Sequence, residues 1–524
     1  MSRQRVQRDD PRHGPDSSRH SHDLGAKMPA RVYAKNQTRF DLTRPEGVAQ
    51  PRSTFLAAMQ RNMATSGYVI AWVPSEHGYN GGATKYSEPG CLIASPSYDA
   101  EQKAVHGAPL NQDYVYNWTR DAALAAIELS FDEPPPGATE SQRMIDYVSF
   151  AKLCQDNAAA DPKVAKGDIG HATFYVDGTP WDKRGPQYDG PALQSLAIMQ
   201  CFGQLSAQSQ NDAKTVIEKN VQHIVDKKDD PSQNLWEELA GMSFFTRAVQ
   251  LRCLKEAKAK QAEIGLNLPD IDAATTALAG ALDSHWSDEK GLYVSVKDPD
   301  DNPGIDIKAY DPNIDIVMAS IYGAVPCTGV KLLATAAQVR DQWSDHGATN
   351  GNGNPLAADL VYPINVQDAP DRGPLMGRYP GDTYDGDTDE KNKSTGHPWA
   401  LCTANYGAFY YCVASALKRG LLKFPLQADG IAAATVVKAE EFFSKLGINP
   451  AAGHEANAAD VLRDAGDKML DSVVYHSNHL ELSEQFDKST GFEKSVENLT
   501  WSYSAFLNAL RARSDSIACN GSAT

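Results

Sequence analysis

No apolar run in this 524-residue chain approaches the ~20 residues that a helix needs to cross a bilayer, which excludes a spanning helix. Cationic residues are in deficit: 50 Lys and Arg stand against 67 Asp and Glu, for a formal net charge of −17. Nucleic acid and anionic membrane need a basic face, so neither is expected as the main partner, and a neutral or cationic substrate fits better. Close cysteine pairs are missing as well. Cysteines 91, 154, 201, 253, 327, 402, 412 and 519 are widely spread, without the C-x2-C spacing of zinc or redox motifs. Cys201 and Cys253 sit in apolar surroundings and read as small buried hydrophobes, while disulfide pairing stays open. The first ~15 residues have no apolar segment of the signal-peptide kind. The compartment therefore stays open: cytoplasmic if this N-terminus is native, secreted if a signal has been removed.

Strand patterns are also scarce. The clearest is Gly291-Leu292-Tyr293-Val294-Ser295-Val296, followed by a turn-like loop rich in Asp, Asn, Pro and Gly. What the chain does have is helical periodicity. With 41% hydrophobic and 22% charged residues it has the composition of an ordinary globule. Residues 1–30, rich in Arg, His, Asp, Ser and Pro, read as a disordered tail. From Ser53 onward amphipathic stretches recur, with Thr119 opening one through Ala122, Leu124, Ala125, Ile127 and Leu129. Others fall near 140–156, 191–206, 213–227, 243–258, 271–286, 313–323, 330–344, 398–418, 430–446, 459–476 and 500–512. The expectation is an all-α protein, with residues 31–524 as one catalytic-size domain and no separate module. Long polar loops at 86–117, 160–190, 346–397 and 478–498 are where a site is expected, since long loops in compact domains are usually functional.

Polar and aromatic residues gather just ahead of helices. Asp113-Tyr114-Val115-Tyr116-Asn117-Trp118-Thr119-Arg120-Asp121 leads into one, Asn234-Leu235-Trp236-Glu237-Glu238 into another, and Leu482-Ser483-Glu484-Gln485-Phe486-Asp487-Lys488 precedes a third. Taken alone, Trp-Glu-Glu also describes an ordinary solvated helix start, because acids favour the positive end of the helix dipole. If the helices alternate in direction around a barrel, however, loops of the same sense converge at one end. Pyranose rings stack their apolar faces on Trp and Tyr, and their hydroxyls bind Arg and carboxylates. Glycoside cleavage then needs one carboxylic acid for the leaving oxygen and one carboxylate to activate water or attack. The residues by themselves indicate a candidate carbohydrate hydrolase.

Those segments resemble the active-site segments of the glucoamylases of glycoside hydrolase family 15. Cys91-Leu92-Ile93-Ala94-Ser95-Pro96-Ser97, Pro186-Gln187-Tyr188-Asp189-Gly190-Pro191-Ala192-Leu193, Gly377-Arg378-Tyr379-Pro380-Gly381-Asp382-Thr383-Tyr384 with Pro398-Trp399, and Leu499-Thr500-Trp501-Ser502-Tyr503 are similar to further family segments in the same order. The resemblance implies an (α/α)6 barrel and exo-cleavage of α-glucosidic bonds in starch or malto-oligosaccharides with inversion. It implies Glu237 as general acid and Glu484 as general base. Tyr114, Trp118, Arg120 and Asp121 fall on positions that bind the terminal glucose, Leu235, Trp236, Glu238 and Arg378 on sugar-contacting positions, and Trp399 and Trp501 on tryptophans lining the pocket. It implies no cofactor, no metal, an oligo- or polysaccharide substrate and a monomer.

The chain departs from the family pattern at Trp181-Asp182-Lys183-Arg184-Gly185-Pro186-Gln187, where Lys183 takes the usual Trp position, at Gly167–Phe174, and at Asn234, where Asp is common. These changes leave an α-1,6-linked substrate such as dextran or isomalto-oligosaccharide as an alternative, with a non-catalytic regulatory relative behind it. Asp385-Gly386-Asp387-Thr388-Asp389-Glu390 begins like a calcium loop but lacks the required Gly and Glu positions, and reads as a solvated acidic loop. His476 and His479 have no companion ligands in the sequence around them.

Overall fold

The computed structural model describes residues 40–42, 44–72, 84–97, 113–164, 168–181, 185–344, 362–368, 372–386, 396–427 and 429–518. The expected tail at 1–30 lies outside the described residues.

Six helices are apolar around most or all of their circumference, as helices must be when every side faces protein. They are Thr119–Ser130, Gly190–Cys201, the first half of Phe244–Ile264, Asp315–Tyr322, Ala400–Lys418 and Thr500–Ala518. Each packs on the next in this order, and the last packs back on the first, so they close a ring. Small residues permit the close approach: in Thr119–Ser130 the alanines 122, 123, 125 and 126 are all buried.

Amphipathic helices cover this ring from outside. Ala207–Lys227 buries Ala213, Val216, Ile217, Asn220, Val221 and Ile224, a stripe at helical spacing, against its inner neighbours. Pro45–Arg61, Gln142–Ala160, Asp272–Asp283, Val330–Ser344 and Glu455–His476 likewise lie against inner helices, and Ala433–Ser444 lies against Val330–Ser344. Two concentric layers joined inner to outer make the expected (α/α)6 barrel. Ser141, Ser206 and Ser243 cap three of the helices through bonds to Met144, Ser209 and Thr246 N–H. Gly265, at φ 75°, ends Phe244–Ile264 in the left-handed cap that glycine favours.

Strands are few and short, and the one expected over 291–296 is broken. Leu292–Tyr293 pairs with Trp286–Ser287, whereas Val296–Lys297 pairs with Met242–Ser243. The break falls where the carboxylate of Asp311 takes the Ser295 N–H at 2.9 Å, out of any ladder.

Loops leading into five of the six inner helices carry the polar segments singled out in the sequence; the approach to Asp315–Tyr322 is the exception. Inner helices run in one sense, so their N-terminal ends share one mouth of the ring. This is why residues hundreds of positions apart meet.

Candidate active site

Glu237 sits in the loop between the strands Ser232–Gln233 and Ala240–Ser243, which pair antiparallel. Its φ is 61°, the left-handed region that L-residues enter at a cost of roughly 1–2 kcal/mol. Such strain persists only where surroundings fix it, and it is concentrated at functional sites. The Trp118 indole N–H donates to Glu237 Oε1 at 2.7 Å, and Arg120 Nη2 lies 3.6 Å from the same oxygen. Arg120 is itself held rigidly: Nη1 donates to Asp189 Oδ2 at 2.8 Å and Gln187 Oε1 at 2.7 Å. Asp121 stands 3.8 Å from its guanidinium. Burial pushes the Asp121 carboxyl up to about 7 against the pull of Arg120.

The adjacent Glu238 faces a different set of partners. Its Oε1 accepts from Arg378 Nη2 at 2.8 Å, and its Oε2 accepts from the Tyr379 hydroxyl at 2.8 Å and the Tyr310 hydroxyl at 3.3 Å. Asp382 grips the other side of Arg378 through Nε and Nη2 at 2.9 and 2.7 Å. Burial raises the Glu238 pKa and the Arg378 charge opposes it. Two acids one residue apart thus have separate surroundings: Glu237 faces an indole donor, while Glu238 is locked to a guanidinium.

Glu484 opens the short hairpin in which Gln485–Phe486 pairs with Glu493–Lys494. Its Oε2 accepts from the Ser495 and Tyr384 hydroxyls, the latter at 3.0 Å, and its Oε1 lies 3.4 Å from the Tyr114 hydroxyl. Burial raises it to about 7, opposed chiefly by the Ser495 and Tyr384 hydrogen bonds. Gly386 lies so near that a Cβ there would come within 2.0 Å of Ser495 Oγ and 3.2 Å of Glu484 Oε2. The preceding Ser483 is fixed by the buried Glu493, which accepts from its backbone N–H and its hydroxyl, both at 3.1 Å.

Aromatic rings join these three carboxylates. Tyr114 packs against Trp118 with centroids 5.2 Å apart, so it touches the environments of both Glu237 and Glu484. Trp236 lies 6.3 Å from Trp501 and nearly parallel to it, and 5.9 Å from Trp399. The Arg120 guanidinium sits over Trp501 at 5.4 Å and that of Arg378 over Trp399 at 5.0 Å. Stacked rings backed by arginines and flanked by acids can bind a pyranose face while holding its hydroxyls.

Of the residues expected from sequence, Tyr114, Trp118, Arg120, Asp121, Trp236, Glu237, Glu238, Arg378, Trp399, Glu484 and Trp501 lie at this mouth of the ring. Leu235 differs: its side chain is packed in the core, leaving only its backbone polar groups to offer. Sequence reasoning assigned no role to Asp189 and Gln187, which pin Arg120, to Tyr310 and Tyr379, or to Tyr384 and Ser495. Asp189, Gln187, Tyr379 and Tyr384 stood inside the quoted segments, whereas nothing in the sequence marked Ser495. Trp181 is the other addition. It stacks on Tyr116 at 4.7 Å and reaches Trp118 at 6.5 Å, so an indole stands beside the Glu237 donor although Lys183 occupies the usual Trp position. Lys183 itself, and most of the acidic loop after Gly386, lie outside the described residues. Seven cysteines, 91, 154, 201, 253, 327, 402 and 412, are unpaired thiols.

Comparison with known proteins bears on the family and the fold. The family model described as glycosyl hydrolases family 15 matches residues 76–511. A probable glucoamylase of Schizosaccharomyces pombe is 26% identical over 468 residues, covering 83% of this chain and 87% of that protein. A glucoamylase of Saccharomycopsis fibuligera is 26% identical over 478 residues, covering 81% and 84%. Among solved structures, the glucoamylase of Hormoconis resinae superposes with a TM-score of 0.68 at 23% identity, covering 90% of this chain and 74% of that one. No helix among the described residues is long and apolar enough to cross a membrane.

Proposed function

Since the chain belongs to glycosyl hydrolase family 15 and is a glycoside hydrolase, we propose that it acts from the non-reducing ends of α-1,4-glucans, starch and malto-oligosaccharides, releasing β-D-glucose with inversion. The relatives named glucoamylase support this reading, and the separate environments of Glu237 and Glu484 carry it. In the proposed reaction Glu237 protonates the glycosidic oxygen as the bond to the anomeric carbon breaks. Glu484 takes a proton from water, whose oxygen attacks that carbon from the opposite face. The proton gained by the leaving sugar and the proton lost by water balance, so the enzyme returns to its starting state after one exchange with solvent.

A base must be ionised to work and basic enough to remove a proton. Burial makes Glu484 more basic than an ordinary carboxylate, and its hydroxyl donors keep the ionised form within reach. Positive charge developing at the anomeric carbon is opposed by the nearby carboxylates, while Glu238, Arg378 and the tryptophans hold the sugar in place. Turnover of maltose by E237Q and E484Q tests the assignment, since both variants keep side-chain shape and lose the titrating proton. Each is expected to lose activity by roughly 10³-fold or more while melting as a cooperative fold. Wild-type rates in either would remove that residue from the mechanism.

A further inference from the structure

One buried amide closes the hairpin that carries both acids. Asn234, with no exposed surface, accepts the backbone N–H of Glu238 at 3.1 Å and of Leu239 at 3.3 Å on its side-chain Oδ1. Its backbone completes the turn, donating to the Leu239 carbonyl at 2.9 Å and accepting from Glu237 N–H at 3.0 Å. Two backbone donors aimed at one side-chain atom settle the amide's orientation, because an NH2 group cannot accept them. The NH2 is thereby turned to Tyr310, whose hydroxyl oxygen lies 2.6 Å from Nδ2.

This fixes the polarity of the tyrosine. Its oxygen accepts from Asn234, so its own proton is left for Glu238 Oε2, at 3.3 Å. Together with Arg378 and Tyr379, Tyr310 gives Glu238 three protein donors. A carboxylate offers about four acceptor sites, which leaves about one for a ring hydroxyl. An ionised Asp at 234 would keep both backbone bonds but accept the Tyr310 proton, and would thereby take a donor away from Glu238.

We infer that Asn234 is a positioning residue that sets the direction of the Tyr310 hydroxyl and so completes the donor set holding Glu238 ready for substrate. The inference rests on the reading of Glu238 as the sugar-holding carboxylate. It also makes the amide at 234, rather than the acid common at that position, matched to the tyrosine at 310.

The test compares N234D, Y310F and N234A for maltose kinetics across pH, with thermal unfolding alongside. N234D and Y310F should each raise KM roughly tenfold with kcat changed less than about twofold, the pattern of a lost ground-state contact. In both, the pH below which KM rises should move up, because Glu238 with one donor fewer protonates sooner. N234D should melt close to the unaltered protein, since it keeps both backbone acceptors. N234A loses the turn closure too and should lose kcat as well. The inference is overturned if N234D has an unaltered KM at every pH, which is what turn closure alone predicts, or if it loses kcat as N234A does with KM unchanged. Running E237Q and E484Q in the same assay separates the failures. A silent N234D beside two inactive acid variants overturns this inference only, whereas full activity in either acid variant overturns the reading of the site on which it rests.

Discussion

Removing the Ser495 hydroxyl tests whether Glu484 works as a base whose proton affinity is set by its neighbours. Ser495 and Tyr384 donate to Glu484 Oε2, and Ser495 is the larger of the two influences holding down a carboxyl that burial raises to about 7. A hydrogen bond to a charged group is worth about 1.5–3 kcal/mol, part of which the protonated carboxyl retains. At 1.36 kcal/mol per unit, S495A should raise the Glu484 pKa by roughly one unit. The base acts ionised, so kcat/KM is full above its pKa and falls as the pH drops through it. In S495A the acid limb of the kcat/KM profile on maltose should therefore move to higher pH by roughly that unit, with the alkaline limb in place. Y384F should shift the same limb in the same direction. An acid limb that stays put or moves to lower pH in S495A would falsify the assignment of that limb to Glu484.

Packing around the same centre yields two further expectations. G386A should lower kcat at least about tenfold, since a methyl 2.0 Å from Ser495 Oγ must displace the Glu484 partner or the loop; unchanged kcat would mean the loop gives way freely. R120A strips the cation from Asp189, 1% exposed, and from Asp121, 7% exposed. Uncompensated buried charge costs about 3–5 kcal/mol, so the urea midpoint should fall accordingly, and a loss under about 1 kcal/mol would show that these acids find other partners.

Much of the fold was legible because its physical signals are local. Helical periodicity marked most of Ala207–Lys227 and all of Ala400–Lys418 alike as amphipathic stretches, whereas which of them lines the ring, which covers it, and the serine caps were not read from the sequence. Convergence was legible only conditionally, through the premise that loops of one sense share one end of a ring. What stayed hidden depends on contacts between distant residues. Ser495 meets Glu484 because a hairpin folds them together, and no spacing marks it. Trp181 reaches Trp118 through a contact between residues distant in sequence, whereas the position-by-position match pointed to Lys183. The expected strand at 291–296 failed because the Asp311 side chain claims the Ser295 N–H, a tertiary contact that overrides β propensity. The strained backbone of Glu237 left no trace in the sequence, since residue type alone reads as helix start there.

In the proposed mechanism Glu237 and Glu484 act on opposite faces of the anomeric carbon with a water between Glu484 and the sugar, which requires carboxyl groups about 6.5–9.5 Å apart rather than the ~5–5.5 Å of a retaining pair. Proton NMR of maltose hydrolysis, read before mutarotation, tests it directly. With inversion the glucose freed from the non-reducing end appears first as the β-anomer; α-glucose appearing first would rule inversion out.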